Sequence, residues 1–252
     1  MDPALFEIVI GEGPIVATAI HNGHEVRSKC AAAMCVDEAA RLREEDPFTA
    51  RFAAVAPTRL VAKRSRFEVD LNRPRDRAIY TSAEEAWGLD VWRKEPGSRL
   101  IEDSLAEYDA FYTELERVLR DRIARHGKVV VLDCHSYNHC FDGPGCAADP
   151  AENPEINLGT GSVPPTWRPL VDRFRTDLAA QGFDVRENVK FHGGEMTQWI
   201  HRTFPTTAVA LALEFKKTFM DEWTSVADAD HIDRIVRGLT ATLPGLVEML
   251  GT

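Results

Sequence analysis

The stretch KVVVLDCHS, residues 128–136, decides the fold of this chain. Its four consecutive apolar residues, 129–132, are typical of a central strand covered on both faces, because a half-exposed strand would alternate apolar and polar residues. An amphipathic helix is predicted just before it, over residues 104–125, with Ser104 as N-cap and Glu107 completing a capping box. A long helix followed directly by a fully buried strand indicates an α/β architecture.

Further apolar segments continue this pattern of helices and strands in both directions along the chain. We predict three more strands, over residues 15–20, 67–71 and 208–215. We predict helical segments over residues 26–43, 166–181 and 231–250, the last one interrupted or kinked near Pro244. Residues 136–165 are rich in Gly, Pro and Asn and predict a long functional loop. No Ser/Gly linker divides the chain, so we predict a single domain over residues 1–252.

The bulk composition restricts the possible partners and the compartment. With 40 acidic and 30 basic residues the formal net charge is -10, which argues against nucleic-acid binding because phosphate contacts need a clustered basic surface. No apolar stretch approaches the roughly 20 residues that span a bilayer, and residues 1–13 lack the basic and apolar segments of a secretory signal. The five cysteines include no Cys-x-x-Cys pair, which favours reduced thiols and a cytoplasmic protein. The sequence does not indicate an oligomeric state.

Two histidines follow predicted strands at or just past their carboxyl ends. His21 comes after the strand at 15–20, and His135 after the strand that begins at residue 128. In open α/β sheets these strand ends border the ligand crevice. Two histidines and one carboxylate are a typical ligand set of a catalytic zinc, which keeps its fourth position for water. The pattern therefore predicts a metal site at His21 and His135, although imidazole also suits manganese or iron.

The third ligand of this metal site is left open by the residue pattern. Glu44, Glu45 and Asp46 end the helical segment that follows His21. Acidic residues near a helix C-terminus oppose the macrodipole, which favours a functional role over a solvated acidic face. His24 competes with them, because His21-x-x-His24 has the spacing of a two-ligand loop.

Asn72 and Arg73 follow the predicted strand at 67–71 and suggest a substrate contact. Arginine presents a planar fork that matches a carboxylate, so Arg73 is a candidate clamp for an acidic substrate, and Asn72 is placed to hold the same group. The alternative for Arg73 is an ordinary surface salt bridge.

Glu214 interrupts an otherwise apolar predicted strand. A carboxylate is costly in such a place unless it is paired or functional. Burial would raise its pKa toward the value that suits a general base. Lys216 and Lys217 offer the structural alternative, in which they neutralise Glu214.

Together these residues resemble the N-formylglutamate amidohydrolase family, which is related in fold to the zinc carboxypeptidases. The resemblance covers nearly the whole chain and depends on the order and spacing of six motifs. They are His21-Asn22-Gly23-His24, Glu45-Asp46, Asp70-Leu71-Asn72-Arg73, Asp133-Cys134-His135-Ser136, Gly193-Gly194 and Leu213-Glu214. The resemblance implies a three-layer α/β sandwich with a mixed, mostly parallel central sheet of the zinc carboxypeptidase or phosphorylase/hydrolase type.

The resemblance also implies an activity, the zinc-dependent hydrolysis of the amide bond of an N-acyl amino acid. The substrate that it implies is N-formyl-L-glutamate, which would be hydrolysed to formate and glutamate. Carboxypeptidases place a glutamate three residues after the first histidine, where this chain has His24. The formylglutamate enzymes take their acid from the later Glu-Asp pair, which selects Glu45. The implied site has Glu214 as catalytic base, a zinc ion on His21, Glu45 and His135, and substrate contacts from Asn72, Arg73, Ser136, Gly193 and Gly194.

Three other functions compete with this one. The chain is compatible with a zinc carboxypeptidase or deacylase acting on a peptide or another acyl amino acid. It is also compatible with a non-catalytic homologue that binds an acyl amino acid. A cysteine hydrolase using Cys134 beside His135 is disfavoured, because neighbouring strand residues point to opposite faces of the sheet.

Overall fold

The computed structural model describes residues 5–251, and the centre of the fold is one seven-stranded sheet. The strand order is β1-β3-β2-β4-β7-β5-β6. β1 pairs with β3 and β5 with β7 in antiparallel fashion, and the other four pairings are parallel. The sheet is therefore mixed and mostly parallel, as expected. The strands are β1 (Phe6–Val9), β2 (Ile15–Ala19), β3 (Thr58–Ala62), β4 (Val129–Tyr137), β5 (Ile156–Gly159), β6 (Val185–Glu187) and β7 (Ala208–Lys216).

Helices cover both faces of this sheet and complete three layers, which confirms the predicted sandwich. The helices are α1 (Ser28–Ala33), α2 (Glu38–Glu44), α3 (Thr49–Ala53), α4 (Ser98–His126), α5 (Arg168–Ala179), α6 (Glu195–Thr203) and α7 (Ala229–Leu250). One apolar core joins the sheet to α3, α5 and α7, and a second core joins its opposite face to α4 and α6. Burial of apolar side chains on both faces explains why the central strands are almost wholly apolar.

Strand β4 lies at the centre of the sheet and is longer than its apolar run predicts. It pairs with β2 on one side and with β7 on the other, and all nine of its residues are buried. The pairing with β7 continues from Val129 opposite Ala208 to Tyr137 opposite Lys216. His135 is consequently a strand residue held by the sheet, and not part of the following loop.

The predicted strand at 67–71 is wrong, because these residues form a buried turn. The amides of Glu68 and Val69 both donate to the Ser65 carbonyl, at 3.0 and 3.4 Å, which is turn geometry and not a ladder. Phe67 and Leu71 are buried all the same. The segment is apolar because it is buried against other elements. A buried strand and a buried turn both need apolar residues, so the pattern does not distinguish them.

The predicted helical boundaries also need correction. The segment at 26–43 is two short helices, since Asp37 accepts a hydrogen bond from the Ala40 amide and starts α2 as a separate element. The long helix α4 begins at Ser98 with Gly97 as its N-cap, so Ser104 is an interior residue and caps nothing. Its hydroxyl instead accepts a hydrogen bond from Arg27. Helix α7 is uninterrupted, and the predicted loop at 136–165 contains β5.

Several chain-level properties complete the description. Within residues 5–251, no helix combines the length and the apolar character needed to cross a membrane. The structure contains no disulfide among the five cysteines, all of which lie within residues 5–251. The assignment of residues 1–252 to one domain remains a prediction, and its residues 1–4 and 252 lie outside the described part of the chain.

Candidate active site

The carboxyl ends of three neighbouring strands bring the predicted chemistry together in one cavity of about 540 Å³. His21 lies two residues past the end of β2, and His135 and Glu214 lie in the last thirds of β4 and β7. All three line the cavity. This is the strand edge at which α/β sheets bind ligands.

A buried cluster of His21, Asp46 and His135 forms the floor of the cavity. One ligand atom from each residue lies within 4.8 Å of the others. Asp46 Oδ2 is 3.4 Å from His21 Nδ1 and 3.1 Å from His135 Nδ1. His21 Nδ1 is buried and has no hydrogen-bond partner among the described residues. A buried polar atom without a partner is costly, and a cation on these three groups would satisfy it.

The backbone and neighbouring side chains hold Asp46 in this cluster. Its amide donates to the carbonyl of His21 at 2.9 Å, which joins the segment after α2 to the end of β2. The Ser136 hydroxyl donates to Asp46 Oδ1 at 3.2 Å. Ser136, predicted to bind substrate, thus holds the carboxylate, and it also lines the cavity.

The carboxylate that joins the two histidines belongs to Asp46, and Glu45 points elsewhere. Glu45 has an extended backbone, with φ -79° and ψ 174°, so its side chain and that of the next residue project in opposite directions. Its carboxylate accepts hydrogen bonds from His24 and Ser65. His24 is thereby excluded from the cluster too. The local geometry thus places the carboxylate of Asp46, and not that of Glu45, between the two histidines.

Each histidine has a carboxylate beside its Nε2 atom. His21 Nε2 donates to Asp70 Oδ1 at 2.7 Å, and His135 Nε2 lies 3.0 Å from Asp133 Oδ2. The Nδ1 atoms of both rings therefore point toward the Asp46 carboxylate, where they are placed as ligand atoms. Metal-binding histidines generally have such a partner on the second ring nitrogen.

Asp70 remains ionised although it is completely buried. Burial raises its pKa, but the guanidinium of Arg66 and the ring of His21 outweigh burial and hold the pKa well below its ordinary value. Arg66 Nη2 donates to Asp70 Oδ2 at 2.9 Å, and the Tyr80 hydroxyl donates to the same oxygen. A charged carboxylate on the second ring nitrogen fixes the orientation of His21 as a metal ligand.

Glu214 is a half-buried carboxylate of the cavity, as is Glu44, but Glu44 is paired with Arg43 at 3.0 Å and no described residue donates a hydrogen bond to Glu214. Lys216 donates to the Asn153 carbonyl at 2.9 Å, and Lys217 donates to the Glu45 carbonyl at 2.8 Å. The alternative in which these lysines neutralise Glu214 is therefore wrong. Burial raises the pKa of Glu214 to about 7, although the positive charge of His135 opposes the rise. Such a carboxyl group exchanges its proton near neutral pH.

Asn72, Gly193 and Gly194 line the same cavity and pack closely together. Asn72 Oδ1 accepts a hydrogen bond from the Met196 amide at 3.2 Å and so supports the start of α6. A Cβ atom on Gly194 would lie 2.3 Å from Asn72 Oδ1, and Gly193 has a φ of +102°. Both positions therefore require glycine. Their predicted contact with substrate remains a prediction.

Arg73 lies beside the catalytic cavity and not in its wall. Its guanidinium donates to Glu85 Oε1 at 2.8 Å and lines an adjoining cavity. Arg66, Asn72 and Trp87 line both cavities. The sequence pattern predicted Arg73 as the arginine of this region, but the arginine that lines the catalytic cavity is Arg66. The predicted role of Arg73 as a carboxylate clamp remains a prediction.

Several cavity residues were missed from the sequence: Arg66, Trp87, Phe141, Lys190 and Lys217. Most lie in irregular segments, where no periodicity indicates which way a side chain points. Lys217 had a usable signal, since it directly follows β7, one of the strands whose end borders the site. It is only 2% exposed and holds the segment that carries Asp46.

Comparisons with known proteins place the chain beside the N-formylglutamate amidohydrolases. The model of the family described as N-formylglutamate amidohydrolase matches residues 13–220, a range that contains every cavity residue named above. An N-formylglutamate deformylase of Pseudomonas aeruginosa is 28% identical over 235 residues, with 84% of each chain covered.

Two crystal structures share the fold over nearly their whole length. An N-formylglutamate amidohydrolase from Ralstonia eutropha JMP134 is 18% identical, with 99% of each chain covered and a TM-score of 0.81. A protein from Agrobacterium tumefaciens is 15% identical, with 97% of this chain and 96% of that chain covered and a TM-score of 0.71. At such identities the likeness establishes the fold.

Proposed function

We propose that this chain, which belongs to the N-formylglutamate amidohydrolase family, hydrolyses N-formyl-L-glutamate to formate and glutamate with a zinc ion bound at His21, Asp46 and His135. The observation that carries the proposal is the placement of this cluster and Glu214 in one cavity at the carboxyl ends of β2, β4 and β7. The name of the Pseudomonas aeruginosa relative, a deformylase acting on N-formylglutamate, supports the choice of substrate.

The residues present suit zinc. Two imidazoles and one carboxylate are a common three-ligand set of catalytic zinc sites. The buried, unpartnered His21 Nδ1 and the carboxylates behind both histidines agree with that set. A zinc ion bound there would polarise the scissile carbonyl and lower the pKa of a water molecule toward about 7.

Glu214 would move the protons of the reaction. Its carboxylate faces the cavity beside His135 and is free of hydrogen bonds to described residues. It takes a proton from the attacking water and delivers it to the amide nitrogen as the carbon–nitrogen bond breaks. A pKa of about 7 suits both transfers, because the group gives up and regains a proton at little cost near neutral pH.

Other groups of the cavity would position the substrate. Asn72 presents its amide beside the cluster, and Gly193 and Gly194 allow a ligand to approach the backbone closely. An arginine on this side of the cavity would attract the α-carboxylate of the acyl amino acid. Arg66 faces the cavity directly, whereas Arg73 would reach the substrate only after leaving Glu85.

Metal content and turnover together test this function. The purified chain should contain close to one zinc ion per molecule and should release glutamate from N-formyl-L-glutamate. A chelator should remove the activity, and added zinc should restore it. A protein that contains zinc but releases no glutamate would contradict the assignment of N-formyl-L-glutamate as the substrate. It would favour another acyl amino acid in its place. A protein that neither binds zinc nor turns over in its presence would contradict the proposed function altogether.

A further inference from the structure

Three cationic side chains line the catalytic cavity, and two of them are already engaged by the protein. Arg66 forms an ion pair with Asp70 at 2.9 Å. Lys217 is buried, and its ammonium makes three hydrogen bonds, which use all three of its N–H donors. Its acceptors are the carbonyls of Arg43 and Glu45 and the side-chain oxygen of Asn138.

Among the described residues, Lys190 is the cation of this cavity that has neither a carboxylate partner, as Arg66 has in Asp70, nor a full set of hydrogen bonds, as Lys217 has. Its ammonium donates once, to Asn153 Oδ1 at 2.8 Å. No carboxylate of the described chain lies within 4.0 Å of it. Two N–H donors of a half-buried charge thus remain without a protein acceptor.

Aromatic rings hold this ammonium in place. Lys190 Nζ lies 5.5 Å from the ring centroid of Tyr137 and 5.4 Å from that of Phe141. Both rings also line the catalytic cavity. Ring faces attract a cation but accept no strong hydrogen bond, so they orient the ammonium and still leave it available to an anion.

We propose that Lys190 is a specificity-determining residue that binds the side-chain carboxylate of the acyl amino acid. The inference rests on the proposed function, since it concerns the substrate of the same cavity. A carboxylate offers two oxygens to the two unused donors, whereas the neutral amide of a glutamine side chain offers one weaker acceptor. Lys190 would therefore distinguish acidic from neutral acyl amino acids.

The alternative is that Lys190 only tethers the loop that contains Asn153. This loop has other attachments, since Asn153 Nδ2 donates to the Asp149 carbonyl at 2.8 Å. The Asn153 carbonyl also accepts a hydrogen bond from Lys216 at 2.9 Å. Lys216 does not line the cavity. It is therefore a matched control, because it is a lysine bound to the same asparagine but outside the lining of the cavity.

The experiment compares the KM values of Lys190→Met and Lys216→Met for N-formyl-glutamate and N-formyl-glutamine. A hydrogen bond to a charged group is worth about 1.5–3 kcal/mol, so Lys190→Met should raise KM for N-formyl-glutamate by about 10- to 100-fold. KM for N-formyl-glutamine and both kcat values should change less than about threefold. Lys190→Arg should restore part of the discrimination, and Lys216→Met should leave it intact. An equal rise of KM for both substrates, or the same effect from Lys216→Met, would overturn the proposal.

A binding measurement separates this inference from the proposed function. Calorimetry with the zinc-supplemented Glu214→Gln variant should show that adding Lys190→Met weakens N-formyl-glutamate binding by a similar factor of about 10 to 100. If the wild-type protein binds N-formyl-glutamate without hydrolysing it, the proposed function fails. The ratio of the two dissociation constants, with and without Lys190→Met, still decides the role of Lys190. A ratio near one, or the absence of binding to Glu214→Gln, would overturn the role of Lys190.

Discussion

His135 and Glu214 lie directly opposite each other in the register of the parallel strands β4 and β7. Because side chains alternate along a strand, residues in register project to the same face of the sheet. The imidazole and the carboxylate therefore enter the cavity side by side. Their separation is set by the backbone ladder of the two central strands, which is more rigid than a loop.

The first prediction concerns the proton-transfer role of Glu214. Glu214→Gln should retain zinc, because this side chain is not in the His21, Asp46 and His135 cluster. It should lower kcat by about 100-fold or more, since an amide cannot accept the proton of the attacking water. Zinc content and kcat measured on the same preparation check both parts. A variant that keeps more than a fifth of the wild-type kcat would contradict the assignment.

The second prediction separates two neighbouring carboxylates. Asp46→Asn should weaken zinc binding strongly, because it changes a direct ligand. Removing only a residue that hydrogen-bonds to a ligand costs roughly 10- to 100-fold in affinity, and the loss in Asp46→Asn should be well above that. Glu45→Gln should retain zinc, because the Glu45 carboxylate is engaged by His24 and Ser65. Competition with a chromophoric chelator gives the two affinities. Zinc loss in Glu45→Gln with retention in Asp46→Asn would reverse the assignment.

Glu45 and Asp46 also show which part of the site the sequence cannot predict. The strands β2, β4 and β7 follow from mostly apolar runs, and these strands alone place His21, His135 and Glu214 at one edge of the sheet. The choice between Glu45 and Asp46 depends on the backbone angles of a single residue after α2. No pattern of residue types encodes those angles.

Long-range packing explains the other misses. The turn at 65–71 contains apolar residues as a strand would, yet its function is to bring Asp70 behind His21, 49 positions earlier in the chain. The ammonium of Lys190 lies in the cavity beside the rings of Tyr137 and Phe141, which are about 50 positions away in the chain. Such contacts depend on the assembled sheet, so periodicity cannot reveal them.

The third prediction tests the carboxylate behind His21. Asp70→Asn removes the charge that supports the imidazole, and it should weaken zinc binding by about 10- to 100-fold. Tyr80→Phe is the control, because it removes one hydrogen bond to Asp70 but leaves the charge and the Arg66 ion pair. It should change zinc affinity less than Asp70→Asn does. Equal zinc affinity in wild type and Asp70→Asn would contradict the role of Asp70.

The fourth prediction concerns a histidine outside the active site. His201 is buried, and its Nε2 accepts a hydrogen bond from the Ala210 amide at 3.0 Å while Nδ1 lies 2.9 Å from Ser162 Oγ. Burial lowers the pKa of His201 to about 4, from an ordinary value of 6.5. The unfolded chain therefore binds more protons than the folded chain between these two values. The free energy of unfolding should fall as the pH is lowered through this range and should level off below it.

The loss of stability at His201 is measurable by substitution. A shift of this size corresponds to about 3 kcal/mol in total, at roughly 1.4 kcal/mol per pKa unit. His201→Gln removes the titration and keeps an oxygen that can accept the Ala210 hydrogen bond. Urea unfolding of the chelated proteins at pH 7.5 and pH 4.5 should therefore show a smaller loss in the variant. Chelation removes the contribution of proton competition for zinc at His21 and His135. If wild type and variant lose the same unfolding free energy, His201 is not the buried neutral histidine described here.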